Sequence, residues 1–342
     1  MLKDQEALLY EKLPEQRVRC GLCAHRCLIS DQHTGKCKVR LNRAGTLYSL
    51  NYGKLIAAHV DPIEKKPLFH FYPGSKSFSI ASPGCNFCCQ WCQNWEISQP
   101  SDQFDYASIE FTPPQRIVAN AQKSGCISIS YTYTEPTVFF EYTLEVSKLA
   151  RENGLKNVYV TNGYMSQGML KLYTPFLDAA NVDIKAFSDD VYRKYIGAHL
   201  QPVLDACVAL KQAGVWLEIT TLLIPGINDD PTQLQGLTAF IANQLGTDTP
   251  WHVSRYFPQY KFDQVDPTPL EIMEQALEIG QQAGLKYTYA GNIRGSVNTY
   301  CPTCHESLIE RYGMSVSRNR LGEDNLCPVC GGKIAGVALG RR

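Results

Sequence analysis

Apolar segments alternate with amphipathic ones throughout residues 77–293, and this pattern leaves few folds open to the chain. The apolar segments are rich in Val, Ile, Thr and Tyr and end in turn residues, as buried parallel strands do. They are SFSIASPG, CISISYTYTEP, NVYVTNG, NVDIKAF, WLEITTLLIPG, WHVSRYFPQY and KYTYAGNI. The amphipathic segments, such as TVFFEYTLEVSKLARENG, close on Gly as helices often do. The pattern predicts an α/β fold of about six β/α units in a barrel or partial barrel, with ligands at the carboxyl ends of the strands.

Charge and length limit the class of function. The chain has 342 residues, and its 33 Lys and Arg balance 33 Asp and Glu. It therefore lacks the basic excess that favours nucleic acid or an anionic membrane surface, and a small molecule or a protein is the expected partner. The first residues, MLKDQEALLYEKLPEQ, contain no apolar core of a leader, and no later apolar run approaches a membrane span. We expect a soluble cytoplasmic enzyme.

Twelve of the 14 cysteines fall in three tight groups, and only Cys126 and Cys207 stand alone. Thiolates a few residues apart converge on one ion or cluster, so the grouping favours metal over disulfides. Two groups lie outside the repeated units, in segments too poor in apolar residues to fold without a staple. We therefore divide the chain into an N-terminal cysteine module (residues 1–60), a core barrel (61–293) and a C-terminal module (294–342).

The C-terminal group has the spacing of a zinc ribbon. Its two C-x2-C knuckles, CPTC and CPVCGG, would clamp one tetrahedral zinc ion, and Gly331 and Gly332 permit the tight turn. The predicted ligands are Cys301, Cys304, Cys327 and Cys330. We expect this zinc to be structural.

The N-terminal group is less diagnostic. Its C-x2-C-x3-C-x9-C spacing suits zinc or an auxiliary iron–sulfur cluster, on Cys20, Cys23, Cys27 and Cys37. We favour zinc, because nothing in the sequence demands a second redox centre.

The central group, GCNFCCQWCQNW, begins at the carboxyl end of the first predicted strand, where a barrel carries its chemistry. A closed site on Cys85, Cys88, Cys89 and Cys92 is one interpretation, although Cys88 and Cys89 are neighbours and would point apart in an extended loop. The alternative uses Cys85, Cys89 and Cys92 only, as C-x3-C-x2-C, and leaves Cys88 as a spare thiol.

The C-x3-C-x2-C spacing, with Trp91 before the last cysteine, resembles the signature of the radical S-adenosylmethionine (SAM) enzymes. The resemblance implies a partial (β/α)6 barrel with a [4Fe-4S] cluster on Cys85, Cys89 and Cys92. One iron lacks a protein ligand and binds the amino and carboxylate groups of SAM. Reduction of the cluster then cleaves SAM to methionine and a 5′-deoxyadenosyl radical, which abstracts hydrogen from the substrate.

Later strand ends continue the resemblance. In TYTEP, Thr134 and Glu135 would hold the methionine amino group, since a buried Glu needs a cationic partner. The resemblance places six further contacts near SAM: Trp91, Thr161, Asn162, Asp183, Lys185 and His252. A plain ion pair between Asp183 and Lys185 is the alternative for that pair. His252 rests on weaker grounds, because a lone His is often structural.

Residues 61–99, DPIEKKPLFHFYPGSKSFSIASPGCNFCCQWCQNWEISQ, closely resemble the radical enzymes of the AmmeMemoRadiSam system, in the pyruvate-formate-lyase-activase-like branch of the superfamily. CGLCAHRC, NVDIKAFSD and NTYCPTC extend the similarity over nearly the whole chain. The resemblance implies Memo-like and AMMECR-type proteins as partners, and a flavodoxin or ferredoxin as reductant.

Three functions remain open at this point. The first is a radical SAM enzyme acting on a small molecule or on a residue of a partner protein. The second is an activase that installs a glycyl radical on a large partner, although such activases usually lack both cysteine modules. The third is a metal-binding scaffold without catalysis, in which the cysteines are structural.

Overall fold

The computed structural model describes residues 5–101 and 103–340. The outermost residues of the two predicted end modules, 1–4 and 341–342, lie outside the described residues. The strands are β1 (Gln5–Glu6), β2 (Tyr10–Lys12), β3 (Val18–Cys20), β4 (Leu28–Ile29), β5 (Arg40–Arg43), β6 (Thr46–Ser49), β7 (Ala57–Pro62), β8 (Lys76–Ala81), β9 (Ser128–Tyr131), β10 (Lys156–Thr161), β11 (Ala179–Asp183), β12 (Trp216–Leu223), β13 (Trp251–Arg255), β14 (Thr288–Gly291), β15 (Thr299–Tyr300), β16 (Ser307–Tyr312) and β17 (Ser315–Asn319). The α-helices are α1 (Trp95–Ser98), α2 (Pro114–Lys123), α3 (Phe140–Glu152), α4 (Gln167–Tyr173), α5 (Asp189–Val191), α6 (Gln201–Gln212), α7 (Pro231–Phe240) and α8 (Leu270–Gln282).

An eight-stranded sheet forms the centre of the molecule, in the order β14-β13-β12-β11-β10-β9-β8-β7. Strands β8 to β14 run parallel to one another, so their carboxyl ends meet at one edge. Each of the seven predicted strands is present, and the predicted α/β fold with a parallel sheet is confirmed. Among the described residues, no helix combines the length and apolarity needed to cross a membrane.

Three predicted helices end where the sequence indicated. Helices α3, α6 and α8 are followed within two residues by Gly154, Gly214 and Gly284. These glycines have φ values of +74°, +78° and +87°, a left-handed conformation that side chains disfavour. Each turn leads the chain back to the next strand of the sheet.

Residues 61–77, DPIEKKPLFHFYPGSKS, hold three prolines and mixed charge, a composition that predicts an ordered loop before the first strand, but the structure departs from that prediction at the start of the segment. Asp61 and Pro62 close strand β7, which pairs antiparallel with β8 at the edge of the sheet. Sequence reasoning missed β7 because its middle residues are exposed and it ends on proline, which only an edge strand tolerates. The correction adds an antiparallel strand beside the first parallel one.

The two end modules attach to the barrel differently. The N-terminal module forms two three-stranded sheets, and its Val18, Leu22 and Val39 belong to the same apolar core as the barrel. The C-terminal module forms the sheet β15-β16-β17 and packs around a second, smaller core, in which Leu308 and Ile334 meet Phe69, Tyr287 and Tyr289 of the barrel. The first module thus joins the main core, and the second shares a smaller core with the barrel.

A buried arginine joins each module to the barrel. Arg40 Nη2 lies 2.7 Å from Glu141 Oε2 on α3, and both side chains are almost fully buried. Arg311 Nε lies 3.5 Å from Glu64 Oε1, and its Nη2 donates to Phe69 O at 2.8 Å. A buried charge pair of this kind is costly to break, because the remaining charge has no water.

Candidate active site

A cavity of about 500 Å³ opens at the carboxyl ends of the parallel strands. The loop that follows β8 carries the central cysteine group into it. The cavity brings together all but one of the residues predicted for the central site: Cys85, Cys89, Trp91, Cys92, Thr134, Glu135, Thr161, Asn162, Asp183 and Lys185. A cavity of this size suits a ligand as large as a nucleoside derivative.

Cys85, Cys89 and Cys92 face this cavity, whereas Cys88 does not line it. Cys88 is exposed, and both its backbone N–H and its thiol donate to the carbonyl of Ile196, at 2.9 and 3.2 Å. Among the described residues, no three of the four sulfur atoms lie within the 4.8 Å of one another that a single ion requires. The arrangement fits a cluster that carries its ligands on separate irons, with Cys88 turned aside.

The three cavity-lining thiols are buried enough to resist ionisation. Burial raises the pKa of all three, that of Cys89 to about 12. Lys185 opposes this increase at Cys89 and Cys92. Without a bound metal these thiols stay protonated at neutral pH, so binding of a metal or cluster must displace their protons.

Glu135 lies at the amino end of a 3₁₀ turn, Pro136–Phe139, and is only 2% exposed. Its Oε1 accepts hydrogen bonds from Thr137 N and Oγ1 and from Thr161 Oγ1, at 3.0, 2.6 and 2.7 Å. Its Oε2 accepts from Asn162 N at 2.8 Å. Burial raises the pKa of Glu135 although these donors oppose it. Neutral donors within the chain therefore satisfy much of the carboxylate, so the expectation that it needs a cation holds only in part.

Two polar side chains connect the strand ends to the cysteine loop. Thr134 Oγ1 donates to Ser82 O at 2.7 Å. Asn162 Nδ2 lies 2.7 Å from Asn86 Oδ1 and 3.7 Å from Cys85 Sγ. Asn162 thus holds the residue beside Cys85 and offers an N–H to its sulfur, which is how proteins tune thiolate ligands.

Asp183 ends β11, and Lys185 lies two residues later on the same side. The Lys185 Nζ is 2.6 Å from Asp183 Oδ2. Burial would lower the pKa of Lys185, but the Asp183 carboxylate and the sulfur of Cys89 outweigh it, and the pKa is raised. The pair forms an ion pair at the cavity wall and places a positive charge towards two of the thiols.

His252 is the one predicted contact that the structure does not bring into the cysteine cavity. It is the second residue of β13, so it lies deep in the sheet and not at its carboxyl end. Its Nε2 is 2.7 Å from Glu218 Oε2, and Glu218 also accepts from Trp216 Nε1 and the backbone N–H of His70. His252 is thus held by Glu218 within the sheet, and its contact with SAM stays a prediction.

His252 instead lines a second cavity of about 350 Å³. This cavity shares one wall with the first, because both are lined by Lys65, Gln93, Asp183, Lys185 and Leu222. Gly313 and Met314, in the turn between β16 and β17, also line this second cavity. Sequence reasoning missed Lys65, Gln93 and Met314, because no local pattern links the three segments that carry them.

The C-terminal cysteines have the geometry of a single-ion site. The sulfur atoms of Cys301, Cys304, Cys327 and Cys330 lie within 4.8 Å of one another. Two of the sulfur pairs are 3.6 and 3.7 Å apart. Four thiolates at a zinc–sulfur distance of about 2.3 Å define a tetrahedron with edges of about 3.8 Å. Gly331 has φ +71°, as the tight turn of the second knuckle requires.

The N-terminal cysteines lack that geometry. Among the described residues, no three of the sulfur atoms of Cys20, Cys23, Cys27 and Cys37 lie within 4.8 Å of one another. These sulfur atoms therefore do not form the tetrahedron that the predicted zinc ion would need.

Comparison with known proteins places the site in a family context. The model of the radical SAM superfamily matches residues 79–234. The uncharacterized protein MJ0808 of Methanocaldococcus jannaschii is 45% identical over 334 residues, which cover 96% of this chain and 98% of that protein. The 7-carboxy-7-deazaguanine synthase of Thermococcus kodakarensis is 26% identical over 158 residues, 41% of this chain and 61% of the synthase. The (2S)-3-sulfopropanediol dehydratase activating enzyme of Klebsiella oxytoca is 22% identical over 112 residues, 33% of this chain and 35% of that enzyme.

Proposed function

The chain belongs to the radical SAM superfamily of enzymes, and we propose that Cys85, Cys89 and Cys92 hold the [4Fe-4S] cluster with which it cleaves SAM. One observation carries the proposal: the three sulfur-bearing side chains of one loop face a cavity whose other walls are polar strand ends. When bound, the cluster and SAM supply a 5′-deoxyadenosyl radical that abstracts hydrogen from a substrate.

The chain's own residues orient and shield the cofactor in this proposal. Thr134 and Glu135 receive the ammonium of SAM, since a partly satisfied buried carboxylate still attracts a cation. Thr161 fixes the position of Glu135 by a hydrogen bond, and Asn162 fixes the cysteine loop through Asn86. Asp183 and Lys185 provide one charge of each sign at the wall shared by both cavities.

We propose that the second cavity receives the substrate. It adjoins the first along Asp183 and Lys185, so a hydrogen donor there lies beside the cofactor. Its volume of about 350 Å³ suits a small molecule or one side chain of a partner protein. His252, held by Glu218, is then a substrate contact and not a SAM contact.

We further propose that the chain acts in the AmmeMemoRadiSam system, in the activase-like branch of the superfamily. The support is the similarity of residues 61–99 and of the cysteine modules to those enzymes. Memo-like and AMMECR-type proteins are then candidate partners, and a reduced flavodoxin or ferredoxin is the electron donor. A reducing cytoplasm suits the 14 cysteines, all of which are free of disulfides. The ribbon holds one structural zinc.

A glycyl-radical activase is the second candidate. The similarity to the Klebsiella oxytoca activating enzyme favours it, although the matched region is 33% of this chain. Such an enzyme transfers the radical to a protein, so a partner backbone would have to reach the second cavity. The volume of that cavity, about 350 Å³, favours a smaller substrate.

The test uses the anaerobically reconstituted full-length protein with dithionite and SAM. We expect 5′-deoxyadenosine and methionine to form in equal amounts. Cys89→Ala should abolish the reaction, whereas Cys88→Ala, the matched neighbour that does not line the cavity, should retain it. Loss of cleavage in Cys88→Ala with retention in Cys89→Ala would reject the trio, and no cleavage by the reconstituted wild type would favour the non-catalytic scaffold.

A further inference from the structure

We propose that Cys20, Cys23, Cys27 and Cys37 hold a second iron–sulfur cluster, and that electrons reach the active site through it. The electron path rests on the proposed radical SAM function; the cluster itself does not. An external one-electron donor of the flavodoxin or ferredoxin class loses one electron, the N-terminal cluster carries it, and the cluster on Cys85, Cys89 and Cys92 gains it.

The distances between the N-terminal sulfur atoms favour a cluster over a single metal ion. The N-terminal cysteines are gathered: Cys20 N–H donates to Cys27 O at 3.0 Å, and a methyl group placed on Gly35, two residues before Cys37, would lie 3.7 Å from Cys27 Sγ. Yet no three of their sulfur atoms lie within 4.8 Å of one another among the described residues. Thiolates on one ion must be close, whereas thiolates on a cluster bind different irons and stand farther apart.

Two other cysteine groups of the same chain can be compared with the N-terminal one: the ribbon group, which suits a single ion, and the central group, for which we propose a cluster. The ribbon, with sulfur pairs at 3.6 and 3.7 Å, shows how four cysteines look when they are set for a single ion. Cys85, Cys89 and Cys92 line one cavity, but their three sulfur atoms do not all lie within 4.8 Å of one another. The N-terminal group shares the second pattern, which is that of the proposed cluster.

The surroundings suit a cluster with a negative charge. Cys20 is buried and the other three cysteines are half-buried, so water has little access. Arg40 is 1% exposed, and its charge acts on Cys20 and Cys37. Its Nε–H has no acceptor among the described residues, so a sulfur of a bound cluster would supply one. Such hydrogen bonds and nearby charges set the potential of iron–sulfur clusters.

The N-terminal group lies directly against the loop that carries Cys85. A methyl group placed on Gly84 would lie 3.1 Å from Cys37 O, so the two backbones are in close contact. On the other side of Cys85, Asn86 O is 2.7 Å from Nε2 of His25, which lies between Cys23 and Cys27. Residues flanking Cys85 on both sides therefore touch residues of the N-terminal group, which gives a short route for an electron.

The first experiment measures metal and sulfide in the anaerobically reconstituted full-length chain. We expect the triple variant Cys85→Ala/Cys89→Ala/Cys92→Ala to retain iron and acid-labile sulfide in equal amounts. It should also show the electron paramagnetic resonance signal of a reduced cluster. Adding Cys23→Ser to that variant should remove the iron. Zinc in place of iron in the triple variant, or no metal beyond the ribbon's, would overturn the cluster.

The second experiment tests the electron path with Cys23→Ser and Cys27→Ser, each checked for a wild-type circular dichroism spectrum. We expect SAM cleavage driven by reduced flavodoxin to fall at least tenfold, while cleavage driven by dithionite stays within about twofold. Cys126→Ser, a buried cysteine outside the groups, is the control. Equal loss with both reductants would overturn the path. No cleavage by wild type with either reductant would reject the radical SAM function alone, because the iron content of the triple variant is read independently.

Discussion

The two end modules of this protein each carry four cysteines, but they differ in how those cysteines meet and in what they touch. In the ribbon the four sulfur atoms converge within 4.8 Å, and the module shares a small core with the barrel residues Phe69, Tyr287 and Tyr289. In the N-terminal module no three of the sulfur atoms lie that close to one another among the described residues, and the apolar residues join the main core. Equal numbers of ligands therefore do not imply equal sites; the backbone that presents them decides which metal species they suit.

The two modules also have one kind of contact in common, a buried ion pair with the barrel. Each inserts a buried arginine towards a carboxylate of the barrel, Arg40 to Glu141 and Arg311 to Glu64. The distances differ, at 2.7 and 3.5 Å, and only Arg40 binds both oxygens of its partner. The Arg40–Glu141 ion pair is thus the closer of the two.

The largest expected effect concerns the metal of the ribbon. Cys301→Ala should reduce zinc from about one ion per chain to none, because three thiolates leave the tetrahedral shell open. Binding of structural zinc contributes about 10–16 kcal/mol in isolated zinc modules, so the ribbon should unfold locally. Iron content and substrate-free SAM cleavage should persist, since no residue that lines the cysteine cavity belongs to the ribbon. Elemental analysis and product assays test this, and iron at the ribbon would remove the contrast between the modules.

The arginine pairs give the next effect. Arg40→Met should leave Glu141 buried without its cation and cost about 3–5 kcal/mol of unfolding free energy. Arg311→Met should cost less, because its contact with Glu64 is longer. Urea denaturation measures both. The double variant Arg40→Met/Glu141→Leu serves as the control and should recover most of the loss, and equal losses at both arginines would contradict the difference in attachment.

The stability of the protein should depend on pH through His70, which lies where the C-terminal module contacts the barrel. His70 is fully buried, with Nδ1 at 2.6 Å from Ala335 O of the C-terminal module and Nε2 at 2.6 Å from Tyr289 Oη. Burial lowers the pKa of His70 to about 4. As pH falls below about 6.5 the unfolded chain takes up a proton first, so stability is lost between pH 6.5 and 4. The loss is on the order of 3 kcal/mol.

Denaturation of the wild type and of His70→Gln at several pH values measures this difference. The variant should be less stable at pH 7 but should show a shallower decline towards pH 4. Parallel curves for the two proteins would exclude His70 as the titrating group.

The smallest expected effect is a loss of SAM affinity on substitution of Glu135 in the cysteine cavity. Glu135→Gln keeps an acceptor for Thr161 but removes the negative charge, so SAM binding should weaken by about 1.5–3 kcal/mol, or roughly 10- to 150-fold. Calorimetry measures the affinity, and iron content should be unchanged because Glu135 is not a ligand. Glu274→Gln, an exposed carboxylate on α8, is the control. Unchanged affinity would remove Glu135 from the SAM site.

Much of the architecture followed from local patterns. The alternation of strands and helices placed seven strands, and the three glycine-ended helices α3, α6 and α8 stop where the glycines indicate. Strand β7 was not predicted, because an edge strand with exposed residues and a terminal proline has no clear alternation of apolar and polar residues. Strand ends meet at one edge of a parallel sheet, so residues as distant as Cys85 and Lys185 could be assigned to one cavity from their place after a strand.

Cysteine spacing along the chain predicted the ligands of all three groups, because thiolates close in sequence can reach a common centre. It did not tell a single-ion site from a cluster site, since that depends on distances between sulfur atoms that the backbone sets in three dimensions. The partners of Glu135, the depth of His252 and the Arg40–Glu141 contact across 101 residues were equally hidden. Local sequence carries period and residue type, whereas burial, long-range pairing and ångström-scale separation arise only when the strands and modules pack together.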